Sequence, residues 1–321
     1  MPELPEVETV RSGLAPELTG AQIDSVEILD ARSLKRHQGG PTDFVQNLVG
    51  RRVLGVVRRG KFLWLPLESR ATDNGFDSTL PAGNSRPLAL VGHLGMSGQM
   101  LLRDAGAAPD KLTRVILHFT NSKGEHLEFR FVDQRIFGSL AIDVLIPTAD
   151  SKPGGFSAGV GAGSWWENLI PESAAHIARD PLDPDFDDAK VLAKLRTKST
   201  GIKRVLLDQG LWSGIGNIYA DETLWATKLH YDQPANTVSL AKSKEILSTV
   251  RQILARAVAV GGTSFDDQYK NVNGESGYFE ISLNAYGRSG TPCARCGTPI
   301  IRENWANRGS HFCPKCQRVN R

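Results

Sequence analysis

Over the first eighteen residues the apolar positions recur at helical spacing. Leu4, Val7, Val10 and Leu14 share a face, Pro5 suits a first turn, and Gly20 follows the end, so residues 5–18 are predicted to form a helix. The period then shortens. Apolar or alternating runs at Val53–Val57, Phe62–Leu67, Leu88–Val91, Arg114–Phe119 and His126–Val132 predict strands. In the last run Leu127, Phe129 and Phe131 alternate with His126, Glu128 and Arg130, which predicts one buried and one solvated face. Several such runs with short turns predict an antiparallel β-sandwich or barrel-like domain. Two stretches interrupt the pattern and read as surface insertions or linker: Ser69–Pro87, and Thr148–Gly163, the latter rich in Gly, Ala and Ser. From Asp185 the helical period returns. Val191, Leu192 and Leu195 mark a helix over 187–198, and a longer one over 239–260 has Ser239 as N-cap and Gly261-Gly262 at its end. Between them a glycine turn, Leu211 to Glu222, leads into a further helix. Four regions are expected: an N-terminal β-sandwich domain (1–148), a linker with an insertion (149–184), a helical domain (185–282) and a C-terminal segment (283–321).

With 40% apolar and 23% charged residues among 321, wholesale disorder is excluded. No run of about 18 apolar residues is present, which excludes a membrane-spanning helix. The start, Met1 to Glu6, is acidic and lacks an apolar core, so it does not read as a secretory signal and a cytoplasmic protein is expected. The net charge of +3 says little, but its distribution says more. From Asn284 onward lie Arg288, Arg295, Arg302, Arg308, Lys315, Arg318 and Arg321 against the single acid Glu303. Arg51, Arg52, Arg58, Arg59 and Lys61 form a second basic cluster, and Lys194, Arg196, Lys198, Lys203 and Arg204 a third. Such bunching suits a polyanion, although each cluster alone equally suits a solvated face.

All four cysteines lie in the basic tail, as Cys293-x2-Cys296 and Cys313-x2-Cys316 separated by sixteen residues. In a reducing compartment two such pairs suit a closed tetrahedral zinc site, with Gly297 and Pro314 supporting the knuckle turns. Iron held by the same thiolates is the rival. A closed site holds the fold and does no chemistry, so a metal-stapled β-hairpin carrying Arg302, Asn307, Arg308 and His311 is predicted.

Five short motifs then occur in a fixed order. They are Met1-Pro-Glu-Leu-Pro-Glu-Val-Glu-Thr-Val10, Arg59-Gly-Lys61-Phe, His93-Leu-Gly-Met96-Ser-Gly98, Gly214-Ile-Gly-Asn217-Ile-Tyr-Ala-Asp-Glu222, and Gly277-Tyr-Phe279 with Tyr286-Gly-Arg288. With the finger they resemble the formamidopyrimidine-DNA glycosylases from end to end, the two insertions apart. The resemblance implies a mixed α and β fold: N-terminal helix and β-sandwich, a helix-two-turn-helix domain, and a zinc-ribbon hairpin. It also implies a monomeric, bifunctional DNA glycosylase/AP lyase of base excision repair. The enzyme would act on oxidised purines in double-stranded DNA of the nucleoid, with one structural zinc as its only cofactor.

By the same resemblance Met1 is removed and Pro2 becomes a free secondary amine that attacks the sugar. An α-amino group titrates near 7.7–8.0, low enough to supply a neutral nucleophile. Glu3 is expected to act as general acid/base, with Glu6 in support, although spacing alone allows both as ordinary first-turn glutamates. Glu8 is read as structural. Lys61, Asn217, His93 and Arg308 are expected on phosphates, Lys61 and Arg308 within the catalytic set and Lys61 also assisting strand cleavage. Lys203 is expected near the damaged base and Tyr219 on DNA, although Tyr219 and Glu222 could equally be core packing and a helix-surface charge. Met96, Arg135 and Phe137 are expected to fill the gap left by a flipped nucleotide. Ile136 stands where many relatives carry arginine. Residues 267–277 are expected to close over the extruded base. Two rival readings are an endonuclease VIII-like enzyme for oxidised pyrimidines, disfavoured by Leu4 and Arg135-x-Phe137, and a non-catalytic zinc-finger damage sensor, disfavoured by Pro2, Glu3 and Lys61.

Overall fold

The computed structural model describes residues 2–70, 86–108, 110–262, 272 and 283–319. Met1, most of the expected 69–87 insertion, the Gly277–Phe279 motif and, apart from Val272, the 267–277 loop lie outside the described residues. The described residues fall into two compact units, one holding 2, 6–176 and 272, the other 3–5, 177–262 and 283–319.

The first unit follows the chain from α1 (Leu4–Leu18) through β1 (Gln22–Ile28), α2 (Gly40–Leu48), β2 (Val57–Arg59), β3 (Phe62–Pro66) and β4 (Leu88–His93). It continues with β5 (Gly98–Asp104), β6 (Thr113–Thr120), β7 (His126–Asp133), β8 (Ser139–Pro147) and β9 (Leu169–Pro171). Two antiparallel sheets result, ordered β1-β6-β7-β5 and β2-β3-β4-β8-β9. Their facing side chains, Ile23, Val115, Leu117, Phe129 and Phe131 against Leu63, Leu65, Leu90 and Leu140, form one core with Val7, Val10 and Leu14 of α1 and Phe44 of α2. The other face of the second sheet carries its own cluster, in which Val57, Trp64, Ala89 and Val91 pack with Trp166 and Ile170. Covered on both sides, β4 is apolar without alternation from Leu88 to Val91.

Two expectations change here. The predicted strand at 53–57 begins only at Val57, because Gly55 passes beneath Trp166, where an added Cβ would stand 3.0 Å from the ring. On the face of β7 expected to be solvated, Glu128 and Arg130 are buried and His126 is exposed. Arg130 donates to the carbonyls of Ala107 and Ala108 and to the carboxylates of Asp110 and Glu128, so the loop after β5 covers it.

The 148–163 stretch folds onto the edge of the second sheet. Phe156 exchanges both backbone hydrogen bonds with Arg58, at 3.0 and 2.8 Å, and so extends β2 sideways. Its ring lies over the guanidinium groups of Arg11 and Arg58, 5.1 and 5.9 Å away. Both arginines clamp the buried Glu8 carboxylate at 2.8–3.0 Å, and Arg58 also reaches the Gly60 carbonyl at 3.3 Å. Glu8 is structural, as expected. Trp166 is buried and Trp165 is 54% exposed.

The second unit contains α3 (Asp188–Thr197), α4 (Ile202–Leu206), α5 (Asn217–Ala226) and α6 (Leu240–Ala259), followed by the hairpin β10 (Ile301–Trp305) and β11 (Arg308–Phe312). Asp187 and Ser239 cap α3 and α6 through their side chains, accepting from Lys190 and Lys242 N–H. The core joins Leu192, Leu195, Trp212, Tyr219, Ile246 and Leu254 with Leu4 from the start of α1. Among the described residues no helix is long and apolar enough to cross a membrane.

Replacing Glu8 by glutamine would remove the buried carboxylate that the Arg11 and Arg58 guanidinium groups share. Glu8→Gln is expected to cost on the order of 3 kcal/mol in urea unfolding with an unchanged m-value. A loss below about 0.5 kcal/mol would show that the cluster does not hold the sheet edge.

Candidate functional site

The second unit builds its site around one carboxylate. Glu3, 3% exposed, accepts hydrogen bonds from the N–H groups of Gly216 (2.7 Å), Ile218 (3.0 Å) and Tyr219 (3.4 Å). It therefore occupies the N-terminus of α5, where unpaired donors and the helix dipole favour an anion. The glycine turn makes this approach possible. A Cβ on Gly216 would lie 2.2 Å from the Glu3 carboxyl carbon, and Gly214, at φ +90°, would meet Leu4 at 2.7 Å. The Leu4 N–H also donates to the Gly214 carbonyl. These glycines are required by packing against residues 3–4.

Around α5 further charges are buried in pairs. Asn217 Nδ2 donates to the Gly309 carbonyl at 3.0 Å. Lys203, fully buried, pairs with Asp221 at 2.6 Å, donates to Ser310 Oγ and the Gly309 carbonyl, and lies over the Trp305 ring. Burial pulls its ammonium below the usual lysine range, against the opposing pull of Asp221. Asp221 also accepts from the His311 N–H, so α5 and the finger are joined through one buried acid. Tyr219 is a core residue, and Glu222 accepts from the N–H groups of Asn284, Ala285 and Tyr286. Asp221 was not anticipated from the sequence, and the polar pattern of α5 gave no signal for it.

The finger has the expected hairpin. Trp305 pairs with Arg308 across Ala306 and Asn307, both at positive φ, a tight two-residue turn that leaves Arg308 exposed at its rim. The four cysteine sulfurs lie within 4.8 Å of one another, with Cys296 3.5 Å from both Cys313 and Cys316. Zinc–thiolate bonds of about 2.3 Å in a tetrahedron place sulfurs roughly 3.8 Å apart, so Cys293, Cys296, Cys313 and Cys316 fit the ion. The Trp225 indole N–H reaches the Cys293 sulfur at 3.4 Å, a supporting contact of the kind that orients metal ligands.

In the first unit Pro2 is buried just before α1, Glu6 is buried in its first turn, and Lys61 follows Gly60 (φ +56°) in the two-residue turn between β2 and β3. His93 ends β4. Its Nδ1 accepts from the Gly95 N–H and its ring meets Phe62 edge-on at 5.3 Å. Burial first, then the neighbouring Arg36, Lys35 and Lys61, pushes this imidazole down to about 4.

Met96, Arg135 and Phe137 come from two connections that form one platform. Gly95, at φ +61°, comes so close that a Cβ would lie 2.5 Å from both Gly138 N and the Phe137 carbonyl carbon. The fully buried Asp133 carboxylate ties the loops by accepting from Ser97 Oγ (2.6 Å), Arg135 N–H (3.1 Å) and Gly138 N–H (2.7 Å). Met96 and Phe137 project from this base 44% and 47% exposed, and Arg135 is exposed between them. Ile136 has φ +54°, a conformation that disfavours β-branched residues by on the order of 1–3 kcal/mol. Asp133 was missed by sequence reading, although Asp two residues before Arg135 is an Asx-turn signal.

Two measurements check this geometry. Chelation is expected to release one zinc per chain and to remove hydrogen-exchange protection from residues 290–319, while β3, β4, β6 and β7 keep theirs. His93 is expected to stay neutral from pH 7.5 down to about 4 in an NMR titration. Because its folded value is depressed, the stability it contributes is complete above about 6.5 and declines as pH falls from there toward 4.

The same architecture recurs in known proteins. Residues 1–140 match the formamidopyrimidine-DNA glycosylase N-terminal domain, 177–268 the H2TH domain of those enzymes, and 290–319 a zinc finger found in FPG and IleRS. The chain is 54% identical to a formamidopyrimidine-DNA glycosylase of Leifsonia xyli, over 99% of this chain and 100% of that one. It is 47% identical to one of Streptomyces avermitilis, over 100% and 99%. Among solved structures, Lactococcus lactis Fpg in complex with DNA containing an abasic site superposes with a TM-score of 0.75 at 29% identity, over 98% of this chain and 99% of that one. A MutM complex with DNA containing carbocyclic 8-oxo-G gives 0.73 at 28%, over 99% and 100%. The chain belongs to the formamidopyrimidine-DNA glycosylase family.

Proposed function

We propose that this chain excises 8-oxoguanine and formamidopyrimidines from double-stranded DNA and then cuts the strand, acting as a monomer on nucleoid DNA in the cytoplasm. Membership of the family makes it a base-excision-repair DNA glycosylase with a structural zinc, and AP lyase activity is general to that family. The relatives bound to DNA with an abasic site or 8-oxo-G supply the substrate class.

In this reading Met1 is removed and the Pro2 nitrogen attacks C1′ of an extruded nucleotide. The C1′–N bond to the base breaks and the base leaves with a proton. The C1′–O4′ bond then opens as O4′ takes a proton from Glu3, and the Pro2 nitrogen lone pair forms the iminium that joins protein to sugar. The iminium acidifies the C2′ proton, whose loss expels the 3′ phosphate; a second elimination expels the 5′ phosphate. Glu3 handles the protons at the sugar. The observation that carries this reading is its placement: three backbone donors fix a carboxylate one residue from the nucleophile. Glu6 supports the same centre. Lys61, which also assists strand cleavage, Arg308 and the Asn217 side-chain amide hold phosphates, as does His93 through a neutral imidazole. Met96, Arg135 and Phe137 take the space of the flipped nucleotide, where Arg135 meets the orphaned base. For Lys203 and Tyr219 the buried positions favour a supporting role, holding the finger and the α5 core behind the DNA-facing residues.

Borohydride is expected to trap the mature protein on 8-oxoguanine duplex more efficiently than on thymine glycol duplex, with the adduct mapping to Pro2. Glu3→Gln is expected to lower base excision by about 10²–10⁴-fold while duplex binding persists. An adduct on an internal lysine, or loss of binding together with excision, would overturn these assignments.

A further inference from the structure

The loop that carries Arg135 and Phe137 is braced from a distant part of the chain. Residues 29–35 follow β1 and include a 3-10 turn, Ala31–Leu34, whose N-cap Asp30 pairs with Arg32 at 2.7 Å and Arg114 at 3.3 Å. The Arg114 carbonyl accepts from the N–H groups of Leu29 and Asp30. Two cations reach the loop, Lys35 from this segment and Arg114 from β6, which anchors it. Arg114 Nε donates to the Asp133 carbonyl at 2.8 Å, at the start of the loop, and Lys35 Nζ donates to the Ile136 carbonyl at 2.5 Å, at its apex. The Lys35 bond falls on the residue held at φ +54°, where an isoleucine left to itself would move to negative φ and turn the next side chain, Phe137, away.

We propose that residues 29–35 are a strut for this loop and that Lys35 is a positioning residue for DNA intercalation, keeping Ile136 in the conformation from which Arg135 and Phe137 project. The bond is made before DNA arrives, so the wedge needs no rearrangement on entering the duplex. The proposal rests on the reading of Met96, Arg135 and Phe137 as the wedge.

Single-turnover mixing with an 8-oxoguanine duplex, carrying 2-aminopurine beside the base opposite the lesion, reports insertion of the wedge. Lys35→Met keeps the aliphatic stem and removes the donor. It is expected to slow the fluorescence step by about fivefold, the worth of one hydrogen bond, at unchanged melting temperature and unchanged salt dependence of binding. Lys35→Arg, which restores a donor, is expected to recover the rate. A wild-type rate in Lys35→Met, or no recovery in Lys35→Arg, would overturn the strut. So would a salt slope lowered by about one unit, since Lys35 would then be a phosphate contact. Phe137→Ala separates the two layers. If it leaves the fluorescence step unchanged, the wedge reading fails; if it slows the step while Lys35→Met does not, only the strut fails.

Discussion

The carboxylate of Glu3 bound to the first turn of α5 is the constraint on which the proposed chemistry depends. A chain terminus is ordinarily the least ordered part of a protein. Here the third residue is held by three backbone donors and the fourth by the Gly214 carbonyl and by its place in the core. Glycine at 214 and 216 is the condition for this, because a methyl group at either position would fall within the van der Waals radius of residues 3 and 4.

Buried charge does similar work elsewhere in each unit. Glu8 joins α1 to the turn bearing Lys61 through Arg58; Asp221 joins α5 to the finger through Lys203 and His311; Glu222 gathers the N–H groups of residues 284–286. Pairs of this kind add little net stability, since desolvation offsets the attraction, but removing one partner is costly, and that asymmetry enforces a single arrangement. The pairs therefore specify where loops and turns stand more than how tightly the core holds.

Much of this was legible in the sequence, and the failures have physical causes. The helix at the N-terminus, the Ser239 cap, the finger hairpin and the strands at 88–91, 114–119 and 126–132 followed from apolar period and turn residues. β1 was hidden because a register shift between Ile23 and Ser25 breaks its alternation, and α2 because only Phe44 and Leu48 of its nine residues are buried. The burial of Glu128 and Arg130 on β7 was illegible because their partners come from the 104–110 loop, a tertiary event no local pattern records. Within the candidate site, residue identities could be read from motifs, but the second layer, Asp133, Asp221 and Lys35, could not. Asp133 reaches Ser97, Asp221 reaches Lys203 and His311, and Lys35 reaches the Ile136 carbonyl, partners far along the chain whose proximity no local pattern records.

The pairing of Phe156 with Arg58 has a consequence for the behaviour of the protein at high concentration. β2 is a three-residue strand at the margin of a five-stranded sheet, a place where bare amide and carbonyl groups invite another molecule to dock. By laying its own chain along that margin, with an aromatic ring closed over two arginines, the protein removes a template for intermolecular β-pairing. A glycine-rich segment that looks dispensable in the sequence thereby guards against self-association.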